Sequence, residues 1–319
     1  MTAPALRDAR SLRSRAPQGS VGDTSSLRSE APQGSVGDPR WLAVYCGFVG
    51  LLAATASAIG VFARGSGASA PGTSIRGEAY RYATDGVYAY NAVRVVAEGV
   101  GWDAVTLFLA APALLVAAGF IARGSVRGRL AALGILGYFA YQYLMYAVFW
   151  ALGPLFPLFV LIFPLSLVGI AWLWSTLDGG TLAAQAVGFP RRSLITFGFL
   201  APSLLVAMWV PRISKGLSGD LAGAGLLGTP TLAVQALDLG LVVPLALATA
   251  VLVWRRRPAG HLLAALFSVK AVTMAGAILA MLISAWMVEG SLEVMPFAIF
   301  SGVTLFAGWL AAGVLRSAR

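Results

Sequence analysis

The sequence predicts an all-α polytopic transmembrane bundle of about eight helices, and three observations carry that reading. Hydrophobic residues make up 58% of the 319 and charged residues only 11%, less than half the roughly 25% of a soluble domain. The mean hydropathy is +0.80. The apolar residues also fall into regular runs, at about 41–62, 102–122, 130–151, 155–175, 193–211, 232–254, 261–286 and 295–315. Each run is near the ~20 residues that cross a ~30 Å hydrocarbon core as a helix, the form that satisfies its own backbone there.

Ahead of the first run, residues 1–40 read as a disordered cytoplasmic tail. Ser11–Asp23 recurs almost unchanged as Ser26–Asp38, a 15-residue tandem repeat of Ser, Gly, Pro and Arg with nothing to bury. The first run reads as an uncleaved anchor: it is longer than a signal-peptide core, and Pro71 would follow the nearest cleavage-like site, Ala68-Ser69-Ala70. The segment 64–101 is too long and patterned for a simple connection. Val93, Val96, Ala97 and Val100 share a helical face with Arg94 and Glu98 opposite, which predicts an interfacial helix or lid over the bundle. The third and fourth runs nearly touch at Gly153-Pro154.

Charge orients the bundle. With the N-terminus inside, sixteen basic residues fall on the inner side and six on the outer, with Lys270 in the membrane, so both termini are expected in the cytoplasm. The formal net charge of +10 does not point to nucleic acid, because the arginines lie in short loops between apolar runs. Arg123, Arg127, Arg129, Arg255, Arg256 and Arg257 are expected to set topology and to meet anionic lipid headgroups. The preference for Arg over Lys, with heavy Ala, Gly and Val usage, fits a GC-rich bacterial coding bias and hence a bacterial inner membrane.

A shift of 132 residues places Pro112 on Pro244, Arg123 on Arg255 and Gly128 on Gly260. Ile170-Ala171-Trp172-Leu173 also resembles Ala307-Gly308-Trp309-Leu310. Four helices in each half would make the repeats parallel, related about an axis along the membrane normal.

Few residues inside the spans can carry chemistry. Lys270 lies about 15 Å beyond the preceding arginine loop at 1.5 Å per residue, near the midplane, where a charge costs about 2.5–3.5 kcal/mol on the insertion scale. Asp238 is the other ionisable group clearly within a span, and the reach of a lysine stem allows an Asp238–Lys270 pair. Asp103 falls at the outer end of its run, where hydration is the default. In the third run Tyr138, Tyr141, Gln142 and Met145 share a face, and Tyr138 takes the place of Lys270 under the shift. These patterns predict a polar site in the membrane at Lys270, Asp238, Tyr138 and Gln142, between two halves. Helix packing and an interfacial belt of Tyr and Trp account for the same aromatics. Cys46 and His261 are each the sole residue of their kind, which excludes a disulfide within the chain, a paired-cysteine redox centre and a multi-histidine metal site.

The segments GVYAYNAV, WDAVTLFLAAP, RGSVRGRLAALGILGYFAYQYLMYA and PLFPLFVLIFPLSL resemble a set of uncharacterised bacterial polytopic membrane proteins. That resemblance implies a membrane bundle and no particular activity. No HExxH, histidine–carboxylate pair or nucleophile elbow is present, so an enzyme lacks its usual equipment, and no cofactor is implied. A retinal protein is disfavoured by the eight runs and by the lack of a carboxylate within a turn of Lys270. The remaining expectation is a small-solute or lipid-handling transporter. The alternative is a non-catalytic scaffold or sensor partner in a membrane complex.

Overall fold

The structure, a computed structural model, describes residues 38–318. The expected tail of residues 1–40 therefore lies outside the described residues except for its last three. Eight helices among the described residues are long and apolar enough to cross a membrane, and the protein is an all-α multi-pass bundle.

The first is α1, Pro39–Phe62. Asp38 caps it by accepting the Arg40 amide at 2.9 Å, and Pro39 sits in the first turn, where its missing N–H costs nothing. Cys46 is buried on its inner face. Then come α2, Val93–Ala122, α3, Val126–Phe149, and α4, Phe156–Ser175. Ser125 caps α3 through the Gly128 amide at 3.2 Å. After the short helix α5, Gly179–Gln185, the chain forms α6, Arg191–Leu217, the single turn α7, Leu221–Ala224, and α8, Ala233–Trp254. It ends with α9, Ala259–Glu289, and α10, Val294–Ser317.

The second span corrects the sequence reading. It begins at Val93, not near residue 102, and runs for 30 residues. The stretch read as a separate interfacial helix or lid is its first turns. Arg94 can sit in that helix because three carboxylates surround it: Glu98 at 2.9 Å, Glu289 at 3.2 Å and Glu293 at 2.6 Å. The rest of the segment before it folds as an antiparallel hairpin, β1, Ser69–Thr73, against β2, Ala79–Ala83, with Ser69 opposite Ala83. The bundle thus has a hairpin end and, opposite, an arginine end carrying the short loops at 123–125 and 255–258.

The 132-residue register recurs in the backbone. α2 contains a wide π turn at Thr106–Ala110 and α8 one at Asp238–Val242, at positions the shift superimposes. In each, a residue bonds the carbonyl five back, Ala111 to Thr106 and Val243 to Asp238. Pro112 and Pro244 follow immediately and supply the cause, because a proline cannot donate and its ring crowds the carbonyl one turn earlier.

The halves meet through their third helices. A methyl group at Gly134 of α3 would lie 2.3 Å from Val269 Cβ of α9, and one at Gly137 would lie 3.4 Å from Leu266 Cγ. Under the shift Gly134 corresponds to Leu266 and Gly137 to Val269. Each glycine therefore faces the counterpart of the other, the reciprocity of a two-fold interface. Closure differs between the halves. In the first, α1 is fastened to α4 by Tyr45, whose hydroxyl donates to Leu165 O at 2.7 Å and whose ring packs edge-on to Trp172. In the second, α6 packs along α8 but not along α10, which it meets through Phe197 and Phe306.

Candidate functional site

The open second half contains a cavity of about 560 Å³ bounded by α2, α3, α6, α8, α9 and α10. Its cause is legible by comparing α9 with α3 position by position. The α3 face that fills the first half carries Phe139, Gln142, Tyr143 and Tyr146, all buried but Gln142 aromatic. The matching α9 positions are Ala271, Met274, Ala275 and Ile278, and all four line the cavity. Ala271, Ala275 and Ile278 are smaller than Phe139, Tyr143 and Tyr146 and leave space that the first half fills.

The cavity walls are mostly leucine, methionine, alanine and aromatic side chains. On the arginine side Phe197 and Phe267 close it, 5.4 Å apart between ring centroids and backed by a buried apolar cluster. From there it extends about 22 Å along α9, from Phe267 to Leu282 at 1.5 Å per residue. Its far end is edged by Arg94, Glu98 and Glu293, and by Arg212, whose guanidinium lies 5.2 Å from the Trp209 ring centre.

Two of the four expected site residues face this cavity. Lys270 is buried at 6% exposure, with its ammonium 4.3 Å above the Tyr141 ring centre. Asp238 is half-buried at the start of the α8 π turn and accepts two bonds, from the Tyr141 hydroxyl and from Trp209 Nε1 at 2.8 Å. The suggested Asp238–Lys270 ion pair does not form. Tyr141 stands between them, giving its hydroxyl to the acid and its π face to the base. A shielded cation–π contact of this kind is worth about 0.5–2 kcal/mol.

The other two, Tyr138 and Gln142, face the opposite way into a sealed polar cage. The Thr106 hydroxyl lies 2.8 Å from the Tyr138 hydroxyl and 2.7 Å from Gln142 Oε1. Gln142 Nε2 in turn donates to Asp103 at 3.4 Å. Asp103 is not hydrated, as its place in the sequence suggested, but 1% exposed. The longer α2 draws it inward, and the chain before α2 folds Tyr88 over it, so that the Tyr88 hydroxyl donates to Oδ2. Ser57 of α1 and Tyr146 of α3 donate to Oδ1 at 3.3 and 3.2 Å.

Sequence reasoning thus brought together one face of α3 that the structure divides. Tyr138 and Tyr141, three residues apart, differ by about 60° around a helix, enough to send one to the cage and the other to the cavity. It missed Trp209, whose indole is distinguished in the sequence only by the nearby Arg212, and Tyr88, which no periodicity marks.

The arginine end is built in two ways. Arg127 Nε donates to Ala318 O at 2.8 Å and Arg129 Nη1 to Thr176 O at 3.2 Å, so both hold carbonyls at the ends of neighbouring helices. Arg123, Arg255, Arg256 and Arg257 are exposed. No protein-family model, curated protein or solved structure matches the chain.

Proposed function

We propose that the protein handles an amphipathic, lipid-like solute, which enters the cavity from the hairpin end with its polar group toward Lys270 and Asp238. One observation carries this reading: an open, largely apolar cavity reaches a buried lysine that makes no ion pair. A volume of about 560 Å³ falls in the range of roughly 300–1,000 Å³ typical of small-molecule sites. The apolar walls favour an acyl or ring system over a hydrophilic solute. A scaffold has no need of such a space.

In this reading the arginine end faces the cytoplasm of a bacterial cell, because ten of the described basic residues lie at that end and six at the hairpin end. The exposed Arg123, Arg255, Arg256 and Arg257 then lie among anionic headgroups. Reporter fusions at the two termini and in the hairpin test the orientation, and an accessible terminus outside would reverse it.

Transport is tested with purified protein in vesicles carrying fluorescent phospholipids and fatty acids. Lys270→Ala is expected to remove transfer above the protein-free rate while the protein remains inserted. Unchanged transfer, or no transfer by the unaltered protein together with no co-purifying lipid by native mass spectrometry, would favour the scaffold.

A further inference from the structure

The cage around Asp103 lies outside the cavity and is built differently from an ion pair. Groups from several elements converge on the carboxyl. α1 contributes Ser57, and the segment before α2 contributes Tyr88. α3 contributes Gln142, Tyr143 and Tyr146, with Tyr138 one turn further along. α4 supplies Phe159 against Tyr146, and α9 meets this stretch of α2 through the Ala280 backbone at Gly101. Among these described groups there is no lysine, arginine, histidine or second carboxyl. Burial in apolar surroundings favours the neutral acid, while four donors favour the carboxylate. The two pressures oppose each other at one group.

The hydroxyls are arranged to serve either form. Tyr146 can donate to Asp103 Oδ1 at 3.2 Å or to Gly99 O at 3.3 Å. Tyr143 can reach Ser57 Oγ at 3.4 Å or Ala53 O at 3.2 Å. Around a carboxylate, Ser57, Tyr88 and Tyr146 all donate inward. Around a neutral acid, the new proton sits on Oδ1 and is donated to Tyr146 Oη, whose own hydrogen turns to Gly99 O. Tyr88 goes on donating to the unprotonated Oδ2. A hydroxyl with two acceptors makes this exchange a rotation and not a repacking.

A metal ion does not fit the same place. A methyl group at Gly60 would lie 2.1 Å from Asp103 Oδ2 and 2.3 Å from the Tyr88 hydroxyl, so helix α1 packs directly on the carboxyl. A hard cation needs a shell of six or more oxygens, whereas a proton needs no volume.

We propose that Asp103 is a reversible proton-binding site, taking a proton from water into the hydroxyl cage and returning it. The site does not depend on what the cavity binds.

Infrared difference spectroscopy of the full-length protein in lipid nanodiscs, between alkaline and acidic buffer, tests this. The expected result is a carboxylic-acid C=O band that appears on acidification and moves down in D2O. It should be absent in Asp103→Asn and retained in Asp238→Asn. Tyr88→Phe, which removes one donor to the carboxylate, is expected to move the band and shift its midpoint to higher pH. That variant decides the matter if Asp103→Asn does not fold. A pH-difference spectrum unchanged by Asp103→Asn would overturn the proposal. So would a band indifferent to Tyr88→Phe, or no band at all because the acid keeps one form throughout.

Discussion

Thr106 and Tyr138 share a hydrogen bond of 2.8 Å in the first half, and the residues 132 positions later are Asp238 and Lys270. A neutral, bonded pair in one half is thus replaced by an acid and a base in the other. The charged pair does not close up, because Tyr141 from the first half inserts between its members. The closed half contributes the side chain that keeps the open half's two charges apart.

Lys270 is expected to cost stability in return for function. On the insertion scale a lysine at this depth costs about 2.5–3.5 kcal/mol, more than the roughly 0.5–2 kcal/mol returned by the Tyr141 ring. Lys270→Met should therefore leave the Tm in detergent unchanged or raised while solute binding is lost. A clear fall in Tm would mean that the lysine is a structural element.

The cavity should be fillable from its own counterpart. Ala275 occupies the place of Tyr143 and Ala271 that of Phe139. Ala271→Phe and Ala275→Tyr are expected to block binding without loss of inserted protein, since the added rings enter existing space. Binding isotherms with a fluorescent fatty acid, beside thermal unfolding, separate blockage from misfolding. Undiminished binding in both variants would place the solute elsewhere.

Close helix contact should show at Gly101. A methyl group there would lie 2.3 Å from the Ala280 carbonyl of α9, and backbone cannot move aside as a flexible side chain can. Gly101→Ala is expected to cost about 1–3 kcal/mol. Gly276, also on a helix, has open space around its would-be methyl, and Gly276→Ala should be neutral or stabilise by up to about 1 kcal/mol. Thermal unfolding of the two variants side by side checks the contrast.

The segment joining α1 to α2 should loosen in acid. The Ser66 hydroxyl and amide hold the half-buried Asp85 carboxyl below its ordinary value of 3.8, with the amide at 2.8 Å. Because the folded value is the lower one, the contribution is complete above the unfolded value and is lost as pH falls through the folded value. Hydrogen exchange at Ser66 should therefore rise, relative to a neighbouring unbonded amide, below about pH 4. Asp85→Asn should remove that pH dependence.

The eight spans were legible because lipid imposes length and apolarity locally. The start of α2 was not. The stretch from Arg94 to Gly101 read as a separate interfacial helix, and two of the groups that hold it in one helix with the second span lie nearly 200 residues away, at Glu289 and Glu293, 3.2 and 2.6 Å from Arg94. Asp103 was misread for the same reason, since Tyr88 and Ser57 reach it only after α1 and the preceding loop fold back. The Asp238–Lys270 ion pair does not form, because sequence periodicity did not show which α3 tyrosine would turn between them.

The paired wide turns at Thr106 and Asp238 also fix how their two helices present side chains. Each accommodates one residue more than a regular helix would, at the same register and just ahead of the same proline. One added residue turns the hairpin-side part of each helix by about 100° against its arginine-side part. The two halves share that rotation, although one fills its interior with a tyrosine cage and the other leaves an open cavity.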